Sequence, residues 1–236
     1  MISSEGQTAT RPVQTFWENT AETRWGNYIT QIERQALLAA HSAFAQPGNG
    51  LEIGCEGGRW SRMLSYPGWQ MTATDVDPQA LQLCQERNPA VRCLLVQPDD
   101  EELPAATASV DLLLCLEVPP VANGTWFHPE AARVLKRGGK LVGTLNNLLS
   151  WRGAAVSLKS KLLHRRHFYS VTFPAFQKTL VEHGFSIDTA DGCCWAPFGR
   201  HSNSRLVPTA TALERALGLR RLPSISPWVV YIATRQ

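Results

Sequence analysis

The stretch Leu51-Glu52-Ile53-Gly54-Cys55-Glu56-Gly57-Gly58-Arg59-Trp60 (LEIGCEGGRW) passes from an apolar approach holding one acid, through three clustered glycines, to a charged and an aromatic residue. Apolar residues that end on glycine read as a buried strand entering a tight turn, since glycine takes positive φ without steric cost. GRWSRMLSY (58–66) then reads as a helix, whose free N–H groups at its start favour negative charge. Strand, glycine turn and helix in this order suit a nucleotide-like ligand.

The same alternation continues outward. GLEIG (50–54), QMTATDV (70–76), RCLLVQ (92–97), SVDLLLCLEV (109–118) and GKLVGTL (139–145) read as buried strands, with helices at GRWSRMLSY, DPQALQLCQERN (77–88) and PEAARVLKR (129–137). Strands alternating with helices predict a parallel sheet covered on both faces. Upstream, Trp25, Ile29, Ile32 and Ala36 predict one helix over Glu18–Ala45, stopped before Pro47-Gly48. Downstream come a basic segment, a helix at FPAFQKTLVEHGF (173–185), and strands SIDTADG (186–192) and PWVVYIATR (227–235), expected to form a hairpin-like antiparallel edge. The expected organisation is a mobile stretch 1–15 and a single domain 16–236. That domain divides into a helical cap (16–46), a cofactor-binding core (47–150), a basic lid (151–173) and a C-terminal part with an acceptor-facing insertion (174–236).

With 236 residues, 44% hydrophobic and 18% charged, the chain has the composition of a folded globular protein. A net charge of +3 gives no general reason to expect a nucleic-acid partner. No signal peptide and no window of membrane-spanning length is found, which predicts a cytoplasmic protein. Cys55, Cys84, Cys93, Cys115, Cys193 and Cys194 lack zinc-like spacing and read as free thiols. His164 and His167 are three apart but lack a supporting carboxylate or thiol, so no metal site is expected.

A nicotinamide fingerprint would need glycine at 54, 56 and 59, and Glu56 and Arg59 break it. Glu52, two residues before the turn, instead suits a ligand with positive charge, such as a sulfonium or an α-ammonium group. About twenty residues on, Asp75 ends the next strand, where a carboxylate can accept hydrogen bonds from ribose hydroxyls.

These pieces, with VQPDDEELP (96–104), SVDLLLCLEV and AARVLKRGGKLVGTLNN (131–147), resemble the class I S-adenosylmethionine-dependent methyltransferases, especially their small-molecule branch. The resemblance implies a Rossmann-like three-layer α/β sandwich: a mostly parallel seven-stranded sheet with an antiparallel last strand, an N-terminal helix and a helical lid insertion. It implies S-adenosyl-L-methionine as cofactor. Glu52, Gly54 and Gly58 would frame its methionine end, with Cys55 in the same loop. Asp75, followed by Val76, would hold the ribose, Asp99 and Asp100 would flank the adenine, and Glu117 would face the transfer site. The family usually carries glycine where this chain has Glu56, a departure that alters the closest backbone approach of the loop.

The activity so implied is direct transfer of a methyl group to an oxygen or nitrogen of a small-molecule acceptor. A hydroxyl acceptor needs a proton taken away, for which Glu117, His167 and Tyr169 are the candidates. Nucleobase methylation is disfavoured, because enzymes of that kind resemble one another in carrying Asp/Asn-Pro-Pro-aromatic here, whereas Val118 and Val121 flank Pro119-Pro120 in EVPPV (117–121), and the chain has no Pro-Cys nucleophile. Arg152, Lys159, Lys161, Arg165 and Arg166 interleave with Trp151, Ala155, Leu158 and Leu162. This pattern reads as a lid over a lipophilic or anionic acceptor, as a peripheral membrane contact through 151–167, or equally as the solvated face of an ordinary helix. Asp111 reads as a brace of the sheet and Asp77 as a helix cap, while Trp25 and Tyr28 are either core or cofactor cover. Two rivals stand beside this reading: a non-catalytic S-adenosylmethionine-binding regulator and a Rossmann-like NAD(P)-dependent oxidoreductase.

Overall fold

The computed structural model describes residues 14–163 and 167–236. Most of the stretch expected to be mobile (1–13), and His164, Arg165 and Arg166 of the basic segment, lie outside the described residues. Helices α1 (Phe16–Ala21) and α2 (Arg24–Ser42) precede β1 (Asn49–Ile53). Then come α3 (Arg59–Ser65), β2 (Gln70–Asp75), α4 (Pro78–Arg87), β3 (Arg92–Leu95), β4 (Val110–Cys115), α5 (Pro119–Ala122), α6 (Phe127–Val134) and β5 (Leu135–Asn146). The chain continues through α7 (Trp151–Leu163), α8 (Phe173–Glu182), β6 (Phe185–Cys193), α9 (Val207–Ala216), a 3-10 turn (Leu219–Arg221) and β7 (Trp228–Arg235).

The strands form one seven-stranded sheet in the order β3-β2-β1-β4-β5-β7-β6. β1 to β5 are parallel and β7 runs antiparallel to both of its neighbours. The mostly parallel, Rossmann-like architecture is therefore the one expected. The expected antiparallel edge is formed by the terminal pair of strands: β7 lies between β5 and β6, and β6 forms the edge.

Alternation along each strand divides the core. Leu113 and Cys115 of β4 join Leu51, Ile53, Leu141 and Tyr231 beneath α6 and α8, whereas Leu112 and Leu114 join Met71, Ala73 and Val142 beneath α2, α3 and α4. Burial on both faces is why these strands are continuous apolar runs, each fully buried leucine contributing about 1.5–3 kcal/mol. Glu52, out of phase with Leu51 and Ile53, points to the α3 side. That parity decides what its carboxylate meets.

Two boundaries differ from expectation. The single N-terminal helix is two, because Thr23 caps α2 by accepting from Gly26 N at 3.1 Å. Gly26 lies so close to α1 that a Cβ there would stand 1.9 Å from the Thr20 carbonyl oxygen. Residues 135–137, expected to extend a helix, instead begin β5, with Leu135 paired to Val110. Asp111, in an irregular part of that pairing, accepts from Asn49 N and Lys136 Nζ, both at 2.8 Å, and so acts as the sheet brace foreseen. Asp77 caps α4 ahead of Pro78, also as foreseen.

Candidate cofactor and transfer site

The glycine turn joins β1 to α3 at the carboxyl end of the sheet. Gly54 (φ +67°) and Gly58 (φ +73°) are both left-handed, and both make room for the chain's own side chains. A Cβ on Gly54 would lie 2.5 Å from Val118 Cγ2, and one on Gly58 would lie 2.2 Å from Cys84 Sγ. Cys55 is buried beneath the loop with its thiol pushed up, first by hydrogen bonding to Cys84 and then by burial. Its side chain belongs to the core, and its main chain lines the turn.

Glu52 is buried, and its Oε2 accepts from Ser61 N at 2.8 Å and from Ser61 Oγ at 2.5 Å. Burial raises its carboxyl to about 7. In this structure the acid fastens the first turn of α3 to β1. Asp75, at the end of β2, accepts from Glu56 N at 2.8 Å and from Asp77 N at 3.0 Å, which anchors the glycine turn to the next strand. Val76 beside it is exposed, as is Leu95 at the tip of β3, its neighbour in the sheet. Asp99 and Asp100 are exposed beyond β3, and Asp100 is partly committed to its own turn by accepting from Gln97 N at 2.7 Å.

Glu56 takes φ +48°, a conformation that costs a non-glycine residue about 1–2 kcal/mol. Its carboxylate accepts from Thr15 Oγ1 at 2.6 Å and from Trp17 N at 3.2 Å, so it receives the first turn of α1. Glu18 adds a salt bridge to Arg87 at 2.7 Å. Thr15, placed by the sequence in the mobile stretch, is thus the capped start of a docked helix.

Beyond the loop lies a cluster of charges with little access to water. Glu33 of α2 is fully buried; its Oε2 meets Arg59 Nη2 at 3.0 Å, while its Oε1 has no partner among the described residues. Glu117, just past β4 and also left-handed (φ +59°), pairs through Oε2 with Arg200 Nη2 at 3.2 Å. Burial raises Glu33 to about 7 and Glu117 to about 8, the charge of Glu33 adding to the rise at Glu117. The Trp17 ring lies between the two guanidinium groups, 4.8 Å from Arg200 and 5.9 Å from Arg59.

Tyr169 joins this cluster indirectly. Its hydroxyl accepts from Trp228 Nε1 at 2.9 Å, and the Trp228 ring lies 5.1 Å from Arg200. His167 has its Nδ1 buried without a partner among the described residues. Trp25 packs with Cys193, Cys194 and Trp228, and Tyr28 donates to Glu214, so these two aromatics belong to the core and to a cavity of about 610 Å³ on the far flank of α2. That cavity is lined by neither the glycine turn nor Glu117, and geometry favours the charged cluster over volume as the site of chemistry.

Sequence reasoning missed Glu33, Arg200 and Trp17. Glu33 had a signal, an acid set in the buried stripe Trp25-Ile29-Leu37-Ala40 of α2. Arg200 arrives from the β6–α9 connection, a long-range contact that spacing does not encode.

Residues 51–143 match the sequence profile of a family described as a methyltransferase domain. The matched segment runs from β1 and the glycine turn through β4 into β5. Demethylmenaquinone methyltransferase of Tropheryma whipplei (strain Twist) is 33% identical over 95 residues, 39% of each chain, so the match spans about two fifths of that relative's length. Among solved structures, an S-adenosylmethionine-dependent methyltransferase from Mesorhizobium loti aligns over 92% of this chain and all of its own (100%), with 14% identity and a TM-score of 0.61. Geranyl diphosphate C-methyltransferase from Streptomyces coelicolor A3(2) aligns over 88% of this chain and 82% of its own, with 16% identity and a TM-score of 0.58. At these identities the structural likenesses speak for the fold. Among the described residues no helix is long and apolar enough to cross a membrane, and no group of three metal-ligating side chains comes together.

Proposed function

We propose that the chain methylates an oxygen or nitrogen of a small lipophilic molecule, with S-adenosylmethionine as donor. The observation that carries this reading is the unpartnered, fully buried Oε1 of Glu33 beside the paired Glu117. A buried carboxylate oxygen without a partner is costly, and a cationic ligand would relieve that cost. The acceptors of the two named relatives, demethylmenaquinone and geranyl diphosphate, have apolar bodies and favour a lipophilic acceptor here.

When bound, S-adenosylmethionine supplies an electrophilic methyl group on a sulfonium. Glu33 and Glu117 favour positive charge at the methionine end, and Arg59 and Arg200 are placed to receive a carboxylate. Asp75 accepts from the ribose, while Val76, Leu95 and Asp99 border the adenine. Glu52 acts through Ser61 by fixing α3 and the turn. Trp17 closes the cluster from above and excludes water, which strengthens each of these interactions. Orientation of the two reactants can supply about 7–11 kcal/mol of the barrier reduction. For a hydroxyl acceptor, Glu117 Oε1 takes the proton, its raised carboxyl range suiting a base that works near neutral pH. Tyr169 and His167 border the acceptor.

The test is a titration of the protein with S-adenosylhomocysteine and, separately, with NADH, followed by donor turnover against phenols, amines and carboxylates. Binding of S-adenosylhomocysteine with methylated product supports the proposal, and binding of NADH alone would overturn it. Methylation confined to carbon acceptors would overturn the choice of atom. In the same titration Asp75→Ala weakens binding at least tenfold, and unchanged affinity would mean that the ribose lies elsewhere.

A further inference from the structure

Helix α7 carries its apolar residues on the wrong side for a helix of a globular protein. Its only buried residue is Gly153, which sits so close to the preceding turn that a Cβ would stand 2.2 Å from the Leu148 carbonyl oxygen. The face turned towards the protein continues with Val156, Ser157 and Ser160, partly covered and mostly small or polar. The opposite face holds Trp151, Ala155, Leu158 and Leu162, all exposed, with Leu158 at 64% and Leu162 at 72% of full accessibility. At about 100° per residue these four fall within an arc of roughly 60°. Lys159 and Lys161 project about 80° to either side of Trp151, flanking the stripe symmetrically. Leu149, Leu163 and Phe168 extend the exposed apolar surface at both ends of the helix.

The base of the helix is held rigidly. Trp151 Nε1 donates to the Trp195 carbonyl at 2.9 Å, and the Arg152 guanidinium donates to the carbonyls of Cys194, Ala196 and Phe198. The stripe therefore stands out from the segment that leads directly to Arg200 and so to Glu117.

We propose that α7 lies in the surface of a lipid bilayer that carries anionic headgroups. An apolar stripe edged by lysines on both sides matches an interfacial helix, with the rings and aliphatic side chains among the acyl chains and the lysine stems reaching back to the headgroups. Charge complementarity specifies the lipid. From Ala131 to Val181 the sequence has no acidic residue, whereas Lys159 and Lys161 edge the stripe on both sides. In this orientation the segment that carries Arg200 to Glu117 lies on the side of the molecule that meets the membrane. The inference goes beyond the proposed transfer reaction and does not depend on which atom is methylated.

The experiment is sedimentation of the full chain with vesicles, in the absence of donor and acceptor. Vesicles of equal parts phosphatidylglycerol and phosphatidylcholine are compared with phosphatidylcholine alone. The expected partition coefficient is at least tenfold higher on the anionic vesicles and falls at raised salt. The double variants Leu158→Ser/Leu162→Ser and Lys159→Glu/Lys161→Glu each lower it at least tenfold, with melting temperatures unchanged because these side chains project from the surface. Equal sedimentation with both vesicle types, or retention of binding by the serine variant, would overturn the proposal. So would light scattering that shows an oligomer which Leu158→Ser/Leu162→Ser disperses, because the stripe would then be a contact between protein molecules. Loss of methyl transfer with vesicle binding intact would count against the proposed function alone.

Discussion

Replacing Glu56 separates two opposing effects at one position. In Glu56→Gly, relief of the left-handed backbone contributes about 1–2 kcal/mol. Loss of the carboxylate that receives Thr15 Oγ1 and Trp17 N costs about 1 kcal/mol, the usual value of a lost helix cap. Global stability should therefore change by less than about 1 kcal/mol. Glu56→Ala loses the cap and keeps the strain, so it should fall about 1 kcal/mol below the parent and about 1–2 kcal/mol below the glycine variant. The cost to α1 is the same in both, since the latch is gone in each. Hydrogen exchange of the peptide containing Trp17, read against denaturant melts, tests this directly: exchange over residues 16–21 should accelerate about five- to tenfold in both variants. Unchanged exchange in Glu56→Gly, or equal stability of the two variants, would refute the reasoning.

Further predictions concern the buried acids. Glu33 and Glu117 are raised from an ordinary 4.5 to about 7 and about 8, so the folded chain holds protons at a pH where the unfolded chain has released them. Their contribution is complete below about 4.5 and is lost as pH rises through 7 to 8. Melting temperature should therefore drop between pH 5.5 and 8.5, with a slope of up to about 1.4 kcal/mol per pH unit per group, and Glu33→Gln with Glu117→Gln should flatten the profile. Calorimetry across that range decides, a flat parental profile being the contrary result. Affinity for S-adenosylmethionine should run the other way and rise as these carboxylates ionise, which isothermal titration at pH 6.5 and 8.5 would measure. Ser61→Ala removes one of the two donors to the buried Glu52 and should cost about 1–2 kcal/mol; an unchanged melting temperature would show that Ser61 does not hold it.

Local chemistry explains what was legible in advance. Runs ending in glycine or aspartate announced β1 and β2, the apolar run Leu112–Leu116 announced β4, and Asp77-Pro78 announced the start of α4, because turn and cap preferences act within a few residues. The break between α1 and α2 escaped notice because helical periodicity persists through Glu22-Thr23, and only the close crossing of Gly26 over Thr20 requires a turn. The family's pattern pointed to the glycine turn and Asp75 but said nothing of Glu56 except that it departs. Its role depends on Thr15 and Trp17, some forty residues away along the chain. Glu33 and Arg200 are remote from the motifs for the same reason: their partners, Arg59 and Glu117, are brought to them by packing.

The place of β7 in the sheet has a consequence for how the molecule is made. Because this strand fills the gap between β5 and β6, neither of those neighbours completes its hydrogen bonding until Trp228–Arg235 has been synthesised. Residues 194–227 separate β6 from its sole sheet partner, so while they are being added β6 waits with both edges bare. Nascent chains at that stage are the ones most open to capture by a stray strand, and a lesion in β7 would leave the sheet split in two.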